Sequence, residues 1–393
     1  MALIEKLLKE ELNILKEKGL YRALRRVSSG AGPTAVVDGR EVINLCSNNY
    51  LGLAKHPALI EASIEATKKY GTGSGASRLV SGNIELYEEL ESLLAEFKGT
   101  ESALVFSSGY SANIGAITAL MSSGDFVVSD RLNHASIIDG CRLSGAKFNV
   151  YPHKDTKKLE EILSRATGRY GKIVIATDSV FSMDGDIAPL DILSEIADRY
   201  GAYLFIDDAH ATGVLGPEGR GSLSHFGIDG GEFIEMGTLS KALGSLGGFI
   251  AGSSHLVNYL KNKARSFIYS TALPPSVLAS SIAALKIVKS DGSFREKLWE
   301  NVSRFREPLQ ALGFDTMDSA TQIIPVLIGD NKKTMEFSEM LFERGVFAQG
   351  IRPPTVPDGT ARIRVSISSA HTDEHIERAV KAFKEAGAAA GVI

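Results

Sequence analysis

The sequence predicts an α/β protein in which a large domain, built on a mostly parallel seven-stranded sheet, precedes a smaller α+β domain. Three observations predict it. Short apolar runs alternate with longer helical patterns over most of the chain, as in successive βαβ units. Most of these runs are continuously apolar, the character of strands buried on both faces. Beyond about Val277 the order changes to a long helical stretch, an apolar run at Ile323–Ile328, a helix over Lys333–Arg344 and an alternating strand at Arg362–Ser368.

The elements follow in order. The opening segment MALIEKLLKEELNILKEKGL interrupts its apolar residues with Glu and Lys, so it reads as an amphipathic helix and not as a signal peptide. Candidate strands are Ala103–Phe106, Phe126–Ser129, Lys147–Tyr151, Ile173–Thr177, Tyr203–Ile206, Ile234–Met236 and Gly248–Ala251. Between them, Pro189–Tyr200 spaces Ile192, Leu193, Ile196 and Ala197 along one helical face that would cover the sheet. The last helix starts at Thr372 as N-cap, carries Asp373 and Glu374 in its first turn, and buries Ile376, Ala379, Val380 and Phe383. With no Pro-rich linker, the expected division is an N-terminal helix and arm (1–50), a large domain (51–285) and a small one (286–393).

At 393 residues the chain is too long for one core, and 44% hydrophobic with 23% charged residues is the composition of a globular protein. Forty-three basic against 47 acidic residues, a net charge of -4, leave no field to attract nucleic acid. No stretch is long and apolar enough for a membrane span. Two cysteines, Cys46 and Cys141, are too few for a disulfide framework or a thiolate zinc site and suit a reducing compartment, so a cytoplasmic location is expected.

The chemistry centres on Gly237-Thr-Leu-Ser-Lys-Ala-Leu-Gly244, where Lys241 sits among small residues between two apolar strands. Most lysines are solvated surface groups. One beside an apolar strand end can lose its proton and form an imine with an aldehyde, which is what pyridoxal phosphate (PLP) needs. PLP also needs an acid facing its pyridine nitrogen. Asp207 follows the buried run Tyr203-Leu-Phe-Ile206 and should emerge at the carboxyl edge of the sheet, where α/β proteins place ligands. His210 can meet the cofactor's phenolic oxygen. Asp207, Asp208 and His210 would also suit a metal, but further ligands are missing, and His371-Thr-Asp-Glu-His375, although it fits a short zinc pattern, falls where a helix begins and suits surface or capping roles better. No metal is expected.

Phe106-Ser-Ser-Gly-Tyr-Ser-Ala-Asn113 supplies a strand end, a glycine turn and a following helix, so the Gly109 and Tyr110 amides are the first choice for the phosphate, beside Ser108 and the hydroxyls of Thr238 and Ser240. His134 follows another strand and can stack on the pyridine. The run Gly71–Arg78 lacks both the P-loop ending and the dinucleotide spacing. Arg362 and Arg364 share one face of their strand and suit carboxylate recognition.

Together Ser47-Asn-Asn-Tyr-Leu-Gly-Leu53, Leu132–Gly140, Val180-Phe-Ser-Met-Asp-Gly-Asp186, Asp207-Asp-Ala-His-Ala-Thr-Gly213 and Thr238–Gly244 resemble the α-oxoamine synthases, fold-type-I PLP enzymes that condense an amino acid with an acyl-CoA. The resemblance spans nearly the whole chain. It implies Lys241 as Schiff-base lysine, Asp207 as pyridinium partner, His134 as stacking ring, and Ser182 and His210 around the phenolic oxygen. It also implies phosphate contacts from Gly109, Tyr110 and Thr238, with Thr271 reaching in from a second subunit of a homodimer with shared sites. Asn48 and Arg364 match substrate-side positions, Arg364 on the amino-acid carboxylate; Arg22 and Arg352 are candidates for the acyl chain's distal carboxylate or the CoA phosphates. Tyr269-Ser-Thr-Ala272 and Gly350–Pro357 favour alanine with pimeloyl-CoA, whereas Ala370-His-Thr372 looks equally like the glycine and acetyl-CoA branch.

Overall fold

The computed structural model describes residues 2–228 and 233–393. Cα packing divides the chain into a smaller unit, Met1–Ser47, Met183–Gly185 and Leu298–Ile393, and a larger one, Asn48–Ser182 and Asp186–Lys297. The expected boundary at 285/286 therefore moves to 297/298. The cause is packing: the helix Pro275–Ser290 lies against the helices Pro57–Tyr70 and Leu86–Lys98 of the larger unit. The N-terminal arm groups with the C-terminal residues because its strands pair with theirs.

In chain order the strands are β1 (Thr34–Val37) and β2 (Arg40–Asn44); β3 (Ser102–Phe106), β4 (Phe126–Asp130), β5 (Lys147–Tyr151), β6 (Ile173–Asp178), β7 (Tyr203–Asp207), β8 (Phe233–Thr238) and β9 (Gly248–Gly252); then β10 (Ile323–Gly329), β11 (Val346–Phe347), β12 (Gln349–Ile351) and β13 (Ala361–Ser366). In the larger unit seven strands form one sheet in the order β3-β9-β8-β7-β6-β4-β5. All run parallel except β9, which is antiparallel to both neighbours.

Strand periodicity distributes the core over both faces. Along β6, Val174 and Ala176 enter one apolar cluster with Phe205 and Ile250, while Ile173 and Ile175 enter a second with Leu204 and Ile206. The helix Leu190–Tyr200 covers the second face with Leu190, Leu193, Ile196 and Ala197. Ile192, expected on that face, is exposed, because Leu190 takes the place one turn before Leu193.

In the smaller unit β1, β2 and β11 form one small sheet and β10, β13 and β12 another. The central strand β13 is buried along its whole length. Arg362 is correspondingly buried, with Nη1 2.6 Å from Asp184 Oδ1 and Nε donating to the Thr360 carbonyl at 2.9 Å, and not at an open polar face. The closing helix, Asp373–Ala390, is capped by Thr372, whose side chain accepts the His375 amide while His375 accepts the Thr372 amide. That is the role of the short zinc-like pattern, and among the described residues no His, Cys, Asp and Glu cluster can hold a metal. Nor, among these residues, is any helix long and apolar enough to cross a membrane.

Candidate active site

The carboxyl ends of the parallel strands gather the candidate residues of the larger unit other than Asn48 and Thr271. β3 leads to Ser108–Tyr110, β4 to His134, β6 to Ser182, β7 to Asp207 and His210, and β8 to Thr238–Lys241. This is the edge at which open α/β sheets leave a crevice, since each chain departs there toward a different layer. A cavity of about 590 Å³ opens instead at the opposite edge, lined by Lys98, Tyr203, Arg220, Phe233 and Leu256 among others, and none of the predicted site residues lines it.

Lys241 Nζ lies 2.9 Å from His210 Nε2. On the far side of that ring, Nδ1 lies 2.7 Å from the Tyr50 hydroxyl, which donates to Asn48 Oδ1 at 3.1 Å. A hydroxyl with its hydrogen on Asn48 accepts from Nδ1–H, leaving Nε2 to accept from the lysine. Tyr50 is wholly buried and was not among the expected site residues, although Asn48 was.

Asp207 is nearly buried, and its carboxylate is held at both oxygens: Oδ1 accepts the Ala209 amide at 3.0 Å and Oδ2 accepts Asn113 Nδ2 at 2.7 Å. Its neighbour across the sheet, Asp178, is also buried. Burial and then the Asp207 charge raise the Asp178 pKa well above the usual carboxylate range. Asp178 receives the His134 amide at 3.2 Å, which ties the loop after β4 to β6. His134 itself is drawn down from the ordinary histidine value, chiefly by burial, although Asp207 and Asp139 oppose this.

The helix Gly109–Leu120 starts with Ser108 as N-cap, its Oγ accepting the Ser111 amide at 3.0 Å. The Gly109 and Tyr110 amides are among the first of that helix, which the helix itself does not bond. β9 presses close here: a Cβ on Gly248 would stand 2.5 Å from Gly109 N, so only glycine fits. Thr238 donates its hydroxyl hydrogen to the Gly247 carbonyl at 2.8 Å and lies 2.8 Å from Ser240 Oγ, so a phosphate bound there would have to win that hydrogen from the carbonyl. Tyr110 is half exposed, donates to Asp139 at 2.5 Å and meets His134 edge-on. Thr271 is exposed and bridges Ser77.

Arg22, Arg352 and Arg364 belong to the smaller unit. Burial and then the nearby Arg22 guanidinium lower the Arg352 pKa from its ordinary value, and Arg352 donates to the carbonyls of Gly19 and Tyr21 at 2.5 and 3.0 Å. Arg364 is buried and donates to Ser366 Oγ at 2.8 Å.

One further clamp braces the crevice. His153 faces Asp130 Oδ1 at 3.0 Å through Nδ1 and Asp186 Oδ2 at 2.8 Å through Nε2, joining the end of β4 to the loop after β6. Burial pulls its pKa down, but the two carboxylates outweigh burial and push it up to about 9. A raised folded pKa stabilises fully below the unfolded value and loses that contribution as pH rises through about 9. Thermal melts of wild type and His153→Gln should therefore differ most at mildly acid pH, below the ordinary histidine value, and converge in alkali; a gap that ignores pH would overturn the clamp.

The larger unit fits PLP on the chemistry of its donors: an amine, a fixed carboxylate, a flat ring, and the first amides of a helix for a dianion. A model of the class I and II aminotransferase family matches residues 40–383. The chain is 54% identical over 385 residues to an 8-amino-7-oxononanoate synthase of Geobacter sulfurreducens, and 50% over 386 residues to one of Thermoanaerobacter pseudethanolicus, covering 98% of each. Among solved structures, serine palmitoyltransferase of S. paucimobilis, carrying PLP, superposes with a TM-score of 0.93 at 33% identity over 98% of both chains. An 8-amino-7-oxononanoate synthase of Francisella tularensis gives 0.77 at 29% identity, over 90% of this chain and 99% of that one. Sequence, sheet order and donor set agree: the chain belongs to the class I and II aminotransferase family, among its PLP-dependent α-oxoamine synthases.

Proposed function

We propose that the protein condenses L-alanine with pimeloyl-CoA, releasing CoA and carbon dioxide and forming 8-amino-7-oxononanoate, a step of biotin biosynthesis. The observation that carries this is the 54% identity, over almost the whole of both chains, to a relative bearing that name. PLP, when bound, supplies an aldehyde for the amino group and an electron-withdrawing ring that stabilises charge at the amino acid's α-carbon.

The chain's own residues do the rest. Lys241 would hold the cofactor through its aldehyde, and the free Nζ would serve to take and return the α-proton. His210, its tautomer set through Tyr50, orients that amine. Asp207 would hold a proton on the ring nitrogen, and His134 would cover the ring. The Gly109 and Tyr110 amides, with Ser108, Thr238 and Ser240, take the phosphate; Ser182 and His210 take the phenolic oxygen.

By the family pattern we assign Asn48 and Arg364 to the amino acid, and the adjacent Arg22 and Arg352 to the distal carboxylate or CoA phosphates. We also infer a homodimer in which Thr271 completes the partner's site. The solvent-facing Leu3, Ile4, Leu7, Leu8 and Leu12 of the first helix support association. A cytoplasmic location agrees with two free cysteines.

The test is CoA release by purified enzyme, with alanine or glycine crossed against pimeloyl-CoA or acetyl-CoA. Alanine with pimeloyl-CoA should lead by at least about a hundredfold in kcat/KM. Faster turnover with glycine and acetyl-CoA would overturn the assignment.

A further inference from the structure

We propose that Asn113 and Ser136 are positioning residues that fix the tautomer of His134 and the orientation of Asp207 together, so that one hydrogen-bonded unit sets both the face and the nitrogen edge of the cofactor ring. Asn113, wholly buried, gives one amide hydrogen to Asp207 Oδ2 at 2.7 Å and the other to Ser136 Oγ at 2.8 Å. Its own Oδ1 is buried and has no partner among the described residues, so the two donated bonds orient the amide. A serine oxygen that accepts there turns its hydrogen elsewhere, and His134 Nδ1 lies 2.6 Å away. The Ser136 amide meets the same nitrogen at 3.3 Å. Two donors on Nδ1 leave the ring's proton on Nε2 and oppose a second proton.

The other groups around the ring act on its charge as a whole. Asp207 on β7 and Asp139 on the helix that His134 caps favour the charged ring, and Lys241 after β8 opposes it. Asp178 on β6 holds the His134 amide, and Tyr110 stands edge-on. Only the Ser136 contacts distinguish Nδ1 from Nε2 among these.

The purpose of the unit rests on the PLP reading, but its test reads the imidazole directly. Holoenzyme with nitrogen-15 histidine should show His134 protonated at Nε2 and bare at Nδ1 through the neutral pH range. Ser136→Ala should move the His134 titration up by about one pH unit, and Ser136→Thr, which keeps the hydroxyl, should restore it. Asn113→Asp keeps the shape, removes both donors, and should loosen cofactor retention at least about tenfold while shifting the pH titration of the bound cofactor's visible absorbance. Ring-nitrogen signals unmoved by Ser136→Ala would overturn the proposal, as would wild-type cofactor retention and absorbance in Asn113→Asp. Should Asn113→Asp not fold, the serine pair decides alone. A protein that binds no PLP yet keeps the His134 pattern would sink the cofactor reading and leave the tautomer lock standing.

Discussion

Lys241→Ala is expected to lower turnover at least about a thousandfold and to leave no cofactor that borohydride can fix to the protein. The loss follows from the proposed mechanism, in which two functions meet at one atom: Nζ would both capture the aldehyde and move the α-proton. Cofactor binding itself should survive in weaker form. The Asp207 carboxylate is held by Asn113 and Ala209, and the helix amides by Ser108, none of which needs the lysine. Lys241→Arg supplies the control: it keeps a positive charge beside His210 but remains protonated and cannot form an imine. It should be as inactive as the alanine variant. Cofactor still fixed by borohydride after either change, at any other lysine, would refute the central role given to Lys241.

Much of this site was legible because its chemistry sits at strand ends. Buried parallel strands read as unbroken apolar runs, so a charged residue directly after one, as Asp207 is after Tyr203–Ile206, stands out. All seven runs became strands of the main sheet. Asn113 escaped notice for the opposite reason: one amide on a helix among Ala112, Ala116 and Ile117 has no pattern of its own, and its value lies in partners 23 and 94 residues away. Tyr50 was hidden likewise, its partner His210 lying 160 residues on. The boundary misplaced at 285/286 shows another limit. The helices Pro275–Ser290 and Ser293–Ala311 are separated only by Asp291 and Gly292, and local periodicity does not say which core each helix covers.

The second large effect is one of stability, and it lies directly behind Asp207. Lys98 is buried, and its three ammonium hydrogens have three acceptors: Asp208 Oδ2 at 2.8 Å, Glu235 Oε1 at 2.6 Å and the Arg220 carbonyl at 2.7 Å. Asp208 in turn accepts from Ser179, Ser222 and Thr212, so this cluster anchors the turn that carries Asp207 and His210. One cation faces two carboxyls. Despite burial, the Lys98 charge and its hydrogen bonds, with those of Ser222 and Ser179, hold Asp208 below its ordinary value, whereas burial prevails at Glu235 and pushes it up to about 7. Lys98→Met removes the cation and leaves both carboxyls buried, which should cost about 3–5 kcal/mol at neutral pH. The sign of its pH dependence is a sharper check than its size. Without Lys98 both carboxyl pKa values rise, so the folded state holds more protons than the unfolded state, and stability falls as pH rises. The deficit of Lys98→Met should accordingly shrink as pH is lowered from about 8 toward about 5, where both acids become neutral. Glu235→Gln in the wild-type background should behave differently: it removes the group that titrates near 7 and leaves a neutral Lys98–Asp208 pair, so the decline in stability between the ordinary glutamate value and about 7 should flatten. Urea unfolding of the three proteins across that range decides the matter. A Lys98→Met deficit that grows in acid would show that the cation's partners are ionised for some reason other than its presence, and the cluster would then no longer account for the placement of Asp207.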